Sequence, residues 1–318
     1  MYSLFWVAVL RPEAGLFEAS DGGGSSSAGG VLPRPDACEE DLEATGLVLC
    51  KCIVDDHPVG HGLCSFVIDY LVNGPDASAL HDTTAALDAL SGFDKALADS
   101  WRALVEEPEV ASDLGMTFDD FDDEAAAEYV TADNVPTAVL QGCTRRLMGG
   151  RQHAFSALRR GFLRCEDLQL QLSALGTAPD LSLLLQGKQT LSTAELLECF
   201  VLPCSWSEEE SVTSGFADAG ATVHELFVEL LQDEETFDET RRFAMLRWAT
   251  ALHALPVGGL KDEKVRLRLF GPEPDDSTLP EVHTCTRELH LPNYSSLEVL
   301  REKVVLALEH AEDGFGKE

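Results

Sequence analysis

Basic residues are scarce in this chain: 23 Lys and Arg stand against 56 Asp and Glu over 318 residues, a formal net charge of −33. A surface of that sign repels a phosphate backbone or an anionic bilayer, so neither nucleic acid nor a membrane surface is an expected partner. Most of the acid reads as a solvated surface that aids solubility. Long apolar runs are missing too, and no stretch approaches the roughly 20 apolar residues that a membrane helix requires. The opening "MYSLFWVAVL" is apolar, but it is too short to span a bilayer and has neither a basic leader nor a small-residue cleavage site. It reads as an N-terminal core segment of a soluble protein.

The nine cysteines are too sparse for a disulfide scaffold, and an odd count leaves at least one unpaired. A reducing compartment, cytoplasmic or nuclear, is expected. There is no CxxC, and Cys50 with Cys52 forms a CxC that has no second ligand pair nearby, so structural zinc is not expected. The acidic run Asp119, Asp120, Asp122, Asp123 and Glu124 lacks the alternating D-x-D-x-D-G order of a calcium loop. In "LLLQGKQT", Ser182 stands where a phosphate loop has its first glycine, and Gln189 where it has Ser or Thr. No metal and no cofactor is expected.

With 45% hydrophobic residues, the chain can bury the core of one large domain or of two packed lobes. Residues 19–30, "ASDGGGSSSAGG", carry no side chains able to build a core and read as a surface loop. Helical periodicity runs from Leu42 to Leu71, broken by His57-Pro58, Gly60 and Gly62, which predicts two helices. Another helical stretch covers 84–106. Residues 200–222 break the periodicity with proline, three successive glutamates and scattered Gly and Ser, and the hinge is placed at 206–220. Val223, Leu226, Phe227, Leu230 and Leu231 then form one apolar helix face.

A second helix should follow from a capping box at Thr236 and Glu239. "VRLRLF" alternates as a half-buried strand, and Leu289 with Leu291 marks a second strand that Pro292 stops. Ser295 and Glu298 are spaced as a further capping box, opening a helix with Leu297, Leu300, Val304, Leu308 and Ala311 on one stripe. The fold class is α+β, with a larger, mostly helical part and a smaller mixed part.

The chemistry concentrates at Cys285. It lies just ahead of a strand, with His283 two residues back, a spacing that in extended chain projects both side chains to one side. The thiolate is the nucleophilic form, and a thiol of ordinary pKa near 8.5 is ionised only to several per cent at neutral pH. An imidazole beside it would assist. Taken alone, these residues fit better a packed thiol beside a satisfied surface histidine. A hydrolase would also require an oriented base and an oxyanion hole. Exchange between a thiol and a thioester asks less, because attacking and leaving groups have similar pKa values.

The segment "LPEVHTCTRELHLPNYSSLEVLREKVVLALEHAEDGFG" resembles the C-terminal end of HECT-type ubiquitin ligases, whose pattern is LP-x-x-HTC, a leucine-rich strand, LP-x-Y-S-S, a helix and a terminal Gly-Phe-Gly. "LRWATALHALPVGGL" is similar to the family's segment ending in LP-x-GG. "FSALRRGF", "DLSLLLQG" and "LLECF" resemble its conjugating-enzyme-receiving part, and "ATGLVLCKCIVDD", "DLGMTF" and "VTADN" carry the likeness back to residue 42. "DLGMTF" with "LPVGGL" looks closest to the ubiquitin-fusion-degradation subgroup.

The resemblance implies a bilobal fold: an N-lobe over residues 1–205, with the conjugating-enzyme-binding part at 160–205, a hinge at 206–220, and a C-lobe over 221–318. It implies that Cys285 accepts ubiquitin from a conjugating enzyme as a thioester and passes it to a lysine of a protein substrate. His283 and Thr284 would shape the surroundings of Cys285, and Phe315 would dock the tail against the larger lobe. Where the family has Phe-Asn after the cysteine this chain has Thr286-Arg287, and Ala254 stands for an arginine before LP-x-GG. These departures keep a second expectation in play, a catalytically weak module that binds ubiquitin or a conjugating enzyme.

Overall fold

The computed structural model describes residues 2–19, 30–60, 62–164, 178–201, 221–261 and 263–315. The chain divides into two compact units, residues 1–186 and 187–318. The expected hinge at 206–220 and the Gly/Ser tract lie outside the described residues, the tract but for its two ends. Among the described residues no helix is long and apolar enough to cross a membrane.

The first unit is built from nine helices among its described residues: α1 (Tyr2–Leu10), α2 (Glu39–Val54), α3 (Ser65–Asn73), α4 (Thr83–Ser91), α5 (Lys95–Glu106), α6 (Glu109–Asp113), α7 (Val135–Met148), α8 (Gln152–Phe162) and α9 (Ala178–Gln186). A two-stranded antiparallel ribbon joins β1 (Phe17–Glu18) to β2 (Leu32–Pro33). The break at His57-Pro58 separates α2 from α3 as the periodicity required. The stretch near 84–106 forms two helices rather than one. Gly92 ends α4, and the Asp94 carboxylate caps the start of α5 by accepting from the Leu97 amide at 3.1 Å.

Helices α2 and α8 pack at glycines. A Cβ on Gly46 would lie 2.0 Å from the Leu158 carbonyl oxygen, so only a residue without one lets the two backbones meet there. Around this pair the rings of Phe66, Tyr70 and Phe155 cluster, Phe155 lying edge-on to Phe66 at 5.3 Å and tilted against Tyr70 at 4.9 Å. Arg159 reaches from α8 to the last carbonyls of α3, donating to Leu71 O at 3.2 Å and Val72 O at 3.1 Å. The acidic run folds onto a cation: Asp122, Asp123 and Glu124 all pair with Arg145 of α7.

The second unit opens with Lys188, whose ammonium pairs with Glu195 at 2.5 Å. Ser192 and Glu195 cap α10 (Thr193–Glu198) reciprocally, and β3 (Phe200–Val201) follows. Then come α11 (Ala221–Gln232), α12 (Glu239–Thr250), β4 (Val265–Pro274), β5 (Glu281–His283), β6 (Glu288–Asn293) and α13 (Leu297–Phe315). The sheet order is β3-β4-β6-β5, with β3–β4 and β4–β6 parallel and β5–β6 antiparallel.

One core cluster joins Phe227 and Leu230 of α11, Leu246 of α12, Leu300 and Val304 of α13, and Val265, Leu267, Leu289 and Leu291 of the sheet. The helices therefore cover the leucine face of the sheet. The conjugating-enzyme-binding part placed at 160–205 is shared between the units. Residues 187–201 belong to the second, because Leu191, Leu196 and Phe200 enter its core and β3 pairs with β4.

Three local expectations shift by one or two residues. Asp238, not Thr236, caps α12 by accepting from the Arg241 amide at 2.8 Å, while Thr236 donates to Asp233 at 2.6 Å. Ser296 caps α13, accepting from the Val299 amide at 3.4 Å, and Ser295 is bound instead by Asp276. Strand β6 runs through Pro292 to Asn293; the β4–β6 register shifts between Leu269 and Pro274, the irregularity that proline needs within a ladder.

Candidate functional site

Strands β5 and β6 form a hairpin, with His283 opposite Glu288, and Thr284, Cys285, Thr286 and Arg287 make the turn. Strand β5 ends at His283, so the two-residue alternation stops before the cysteine, and Cys285 stands in the turn beyond it. The turn is closed from inside: the amide and the hydroxyl of Thr286 both donate to the His283 carbonyl, at 3.2 and 3.3 Å. Arg287 closes it with φ 56°, a left-handed conformation that puts its carbonyl within 2.8 Å of the Arg266 amide of β4. Its guanidinium pairs with Glu263 at 2.6 Å.

Thr284, Cys285 and Thr286 are all exposed. Of the cysteines among the described residues, only Cys38 and Cys285 are exposed. Burial pushes the thiols of Cys52, Cys143 and Cys199 up to about 12 and that of Cys64 up to about 11, far from ionisation at neutral pH. Cys50 is 3% exposed. An acyl acceptor must be reachable, and by that criterion Cys285 and Cys38 stand apart. Cys38 is the N-cap of α2 in the first unit, whereas Cys285 lies in the His-Thr-Cys sequence, two residues after His283. Among the described residues no three His, Cys, Asp or Glu side chains are grouped as a metal ion would require.

The approach to the turn is clamped to the far end of the hairpin. Asp276 accepts from the Ser295 amide at 2.9 Å and hydroxyl at 2.6 Å, and these bonds hold its carboxyl below the usual range. The buried Tyr294 donates to Thr278 O at 2.8 Å. Both contacts fix the loop that leads into β5. The departures from the family pattern have local reasons as well. Thr286 supplies the hydroxyl that closes the turn, and Ala254 is fully buried, in a site filled by a methyl group.

Of the residues that sequence reasoning singled out, His283 ends β5, and Thr284 and Cys285 follow it in the turn. Phe315 is the last described residue, at the end of α13. What the sequence reading missed is the polar face behind the turn. Arg268, Glu288 and His290 stand there, and the alternation in "VRLRLF" and "ELHLP" was the signal that could have shown it.

The family model for "HECT-domain (ubiquitin-transferase)" matches residues 3–318. The chain is 26% identical over 270 residues, 85% of its length, to a bifunctional serine/threonine-protein kinase/NEDD4-like E3 ubiquitin-protein ligase of Dictyostelium discoideum. It is 28% identical over 205 residues, 63% of its length, to the E3 ubiquitin-protein ligase UPL4 of Arabidopsis thaliana. To the E3 ubiquitin-protein ligase HUWE1 of Mus musculus it is 27% identical over 192 residues, 59% of its length. The matched part is 13% of each of the first two relatives and 4% of the third. This chain belongs to the HECT-domain family of ubiquitin transferases.

Proposed function

We propose that this chain is a ubiquitin-protein ligase domain that accepts ubiquitin on Cys285 and transfers it to a lysine of a protein substrate. The observation that carries the reading is an exposed thiol at the tip of a braced hairpin, in the His-Thr-Cys motif of a chain whose family transfers ubiquitin. In the first step the Cys285 sulfur attacks the carbonyl of a ubiquitin thioester on the conjugating enzyme. The new carbon–sulfur bond forms as the old one breaks, and the enzyme's thiolate leaves. In the second step a substrate lysine amine attacks the same carbonyl, an amide bond forms and Cys285 is released. Both steps exchange groups at one carbonyl and need no cofactor.

The turn suits this traffic. The exposed position of Cys285 suits a large acyl group, while the hydrogen bonds of Thr286 and Arg287 brace the turn that carries it. His283 and Thr284 border the sulfur on its chain and are assigned the shaping of its surroundings. The division into an N-lobe, a hinge at 206–220 and a C-lobe, with conjugating-enzyme contacts at 160–205, belongs to the same proposal, as does work in the cytoplasm or nucleus. Tail docking is assigned to Phe315. Phe315→Ala should leave loading intact and slow discharge to a substrate lysine about tenfold or more, the loss of one docked aromatic ring being worth about 1.5 to 3 kcal/mol.

The test is to mix the chain with activating enzyme, a panel of conjugating enzymes and ubiquitin, and to look for a reductant-labile adduct on the peptide that contains Cys285. A folded chain that binds conjugating enzyme or ubiquitin and yields no adduct would be the binding module instead.

A further inference from the structure

The register of the sheet places six polar side chains on the face opposite the leucines. Arg266 lies beside Glu288 and Arg268 beside His290 across the parallel pair, while His283 lies beside Glu288 and Glu281 beside His290 across the antiparallel one. Side chains alternate along a strand, so these six share one face, and Leu267, Leu289 and Val282 share the other.

Within that face runs a connected chain. Arg268 Nε donates to Glu288 Oε1 at 3.0 Å, the other carboxylate oxygen of Glu288 lies 3.2 Å from His290 Nε2, and the His290 ring stands edge-on to the His283 ring with centroids 4.6 Å apart at 62°. The side chains of Arg268, Glu288 and His290 are 24, 21 and 25% exposed, and that of His283 is 50% exposed. The chain therefore leads from a shielded ion pair to a half-exposed imidazole two residues before Cys285. Glu281 approaches that imidazole from its own strand, with 4.0 Å between Oε2 and Nε2.

We propose that His290 is a positioning residue for ubiquitin transfer: anchored by Glu288, it holds the His283 imidazole at the base of the turn that carries Cys285. This rests on Cys285 being the acceptor. A free histidine at a strand end samples several rotamers, and packing against a ring that is itself hydrogen-bonded removes most of them. The held imidazole keeps a polar, proton-accepting edge at the base of the turn. During loading the sulfur attacks the thioester carbonyl, the bond to the conjugating enzyme breaks, and that enzyme's thiolate leaves with the thiol proton. Glu288 and His290 are needed for this arrangement and touch no reacting atom.

The experiment is single-turnover loading of the full chain from a ubiquitin-charged conjugating enzyme over a range of concentrations, run beside alkylation of Cys285 by iodoacetamide read on its own peptide. His290→Ala should lower the maximal loading rate about tenfold and leave the half-saturating concentration unchanged, as expected for lost orientation rather than lost binding. His290→Phe, which keeps the ring against His283, should recover most of the rate. His290→Gln, which keeps a donor for Glu288 and loses the ring, should behave like alanine and serves if the alanine variant fails to fold. Cys285 alkylation should fall in the same order, with Cys38 alkylation constant. Wild-type loading and alkylation in folded His290→Ala, or a change confined to half-saturation, would overturn the positioning role. If wild type loads no ubiquitin while Cys285 alkylation still tracks His290, the ligase reading fails and with it the role in transfer, and only the coupling of His290 to Cys285 stands.

Discussion

The backbone of Gly161 in α8 lies against that of Glu43 in α2 so closely that a Cβ built on the glycine would sit 1.8 Å from the Glu43 carbonyl oxygen. Alanine is the better helix former by about 1 kcal/mol, but the obstacle is main chain and cannot rotate aside, so the helices must part. Overpacking of this kind costs about 1 to 3 kcal/mol or more, and the packing term wins. Gly161→Ala should lower the urea midpoint with an unchanged slope; a midpoint at or above wild type would mean the helices can separate freely.

The Glu195 carboxyl is pulled down to about 2, first by the Lys188 ammonium and then by its bonds from Ser192. A carboxylate with a depressed folded-state pKa stabilises the fold fully above its unfolded value of 4.5 and loses that contribution as pH falls toward about 2. Glu195→Gln should therefore lower the melting temperature at pH 7, and the gap to wild type should narrow between pH 4.5 and 2. A gap that is constant over that window would show that Glu195 acts without its charge.

Arg287 occupies a left-handed conformation at φ 56°, which a side chain with a short polar group adopts at lower cost. Its ion pair with Glu263 joins side chains 40 and 66% exposed and is worth about 0 to 1 kcal/mol. Arg287→Asn should keep stability within about 0.5 kcal/mol, since relief of backbone strain offsets the lost pair. Arg287→Val loses the pair and worsens the strain, and should cost about 1 to 2 kcal/mol. Equal melting curves for the two variants would remove the strain from the account.

Local patterns were legible in the sequence and pairings were not. The spacing of Val223, Phe227, Leu230 and Leu231 announced α11, and all four are buried. The alternation of Val265, Leu267 and Leu269 announced β4. Neither pattern says that β4 runs parallel to β6, because that pairing joins residues 22 apart (288 − 266) through packing that no short window contains. The same limit hid the attachment of β3 to β4, which draws residues 187–201 into the second unit. At the site, Cys285 beside His283 could be read, but the end of β5 at His283 could not, and with it went the extended geometry first assigned to the pair. The link from Arg268 to Glu288 and His290 becomes visible only once the strands are in register.

Ubiquitin on Cys285, and on none of the other cysteines, is the central claim, and the most direct measurement compares adducts of wild type, Cys285→Ala and Cys285→Ser by peptide mass spectrometry before and after reductant. Cys285 is exposed, so both substitutions should leave the fold intact. A hydroxyl is a far weaker nucleophile than a thiolate, and an oxyester resists thiols. The account predicts a reductant-labile adduct for wild type, none for Cys285→Ala, and a slow or absent but reductant-stable adduct for Cys285→Ser. A labile adduct that persists in Cys285→Ala would contradict it.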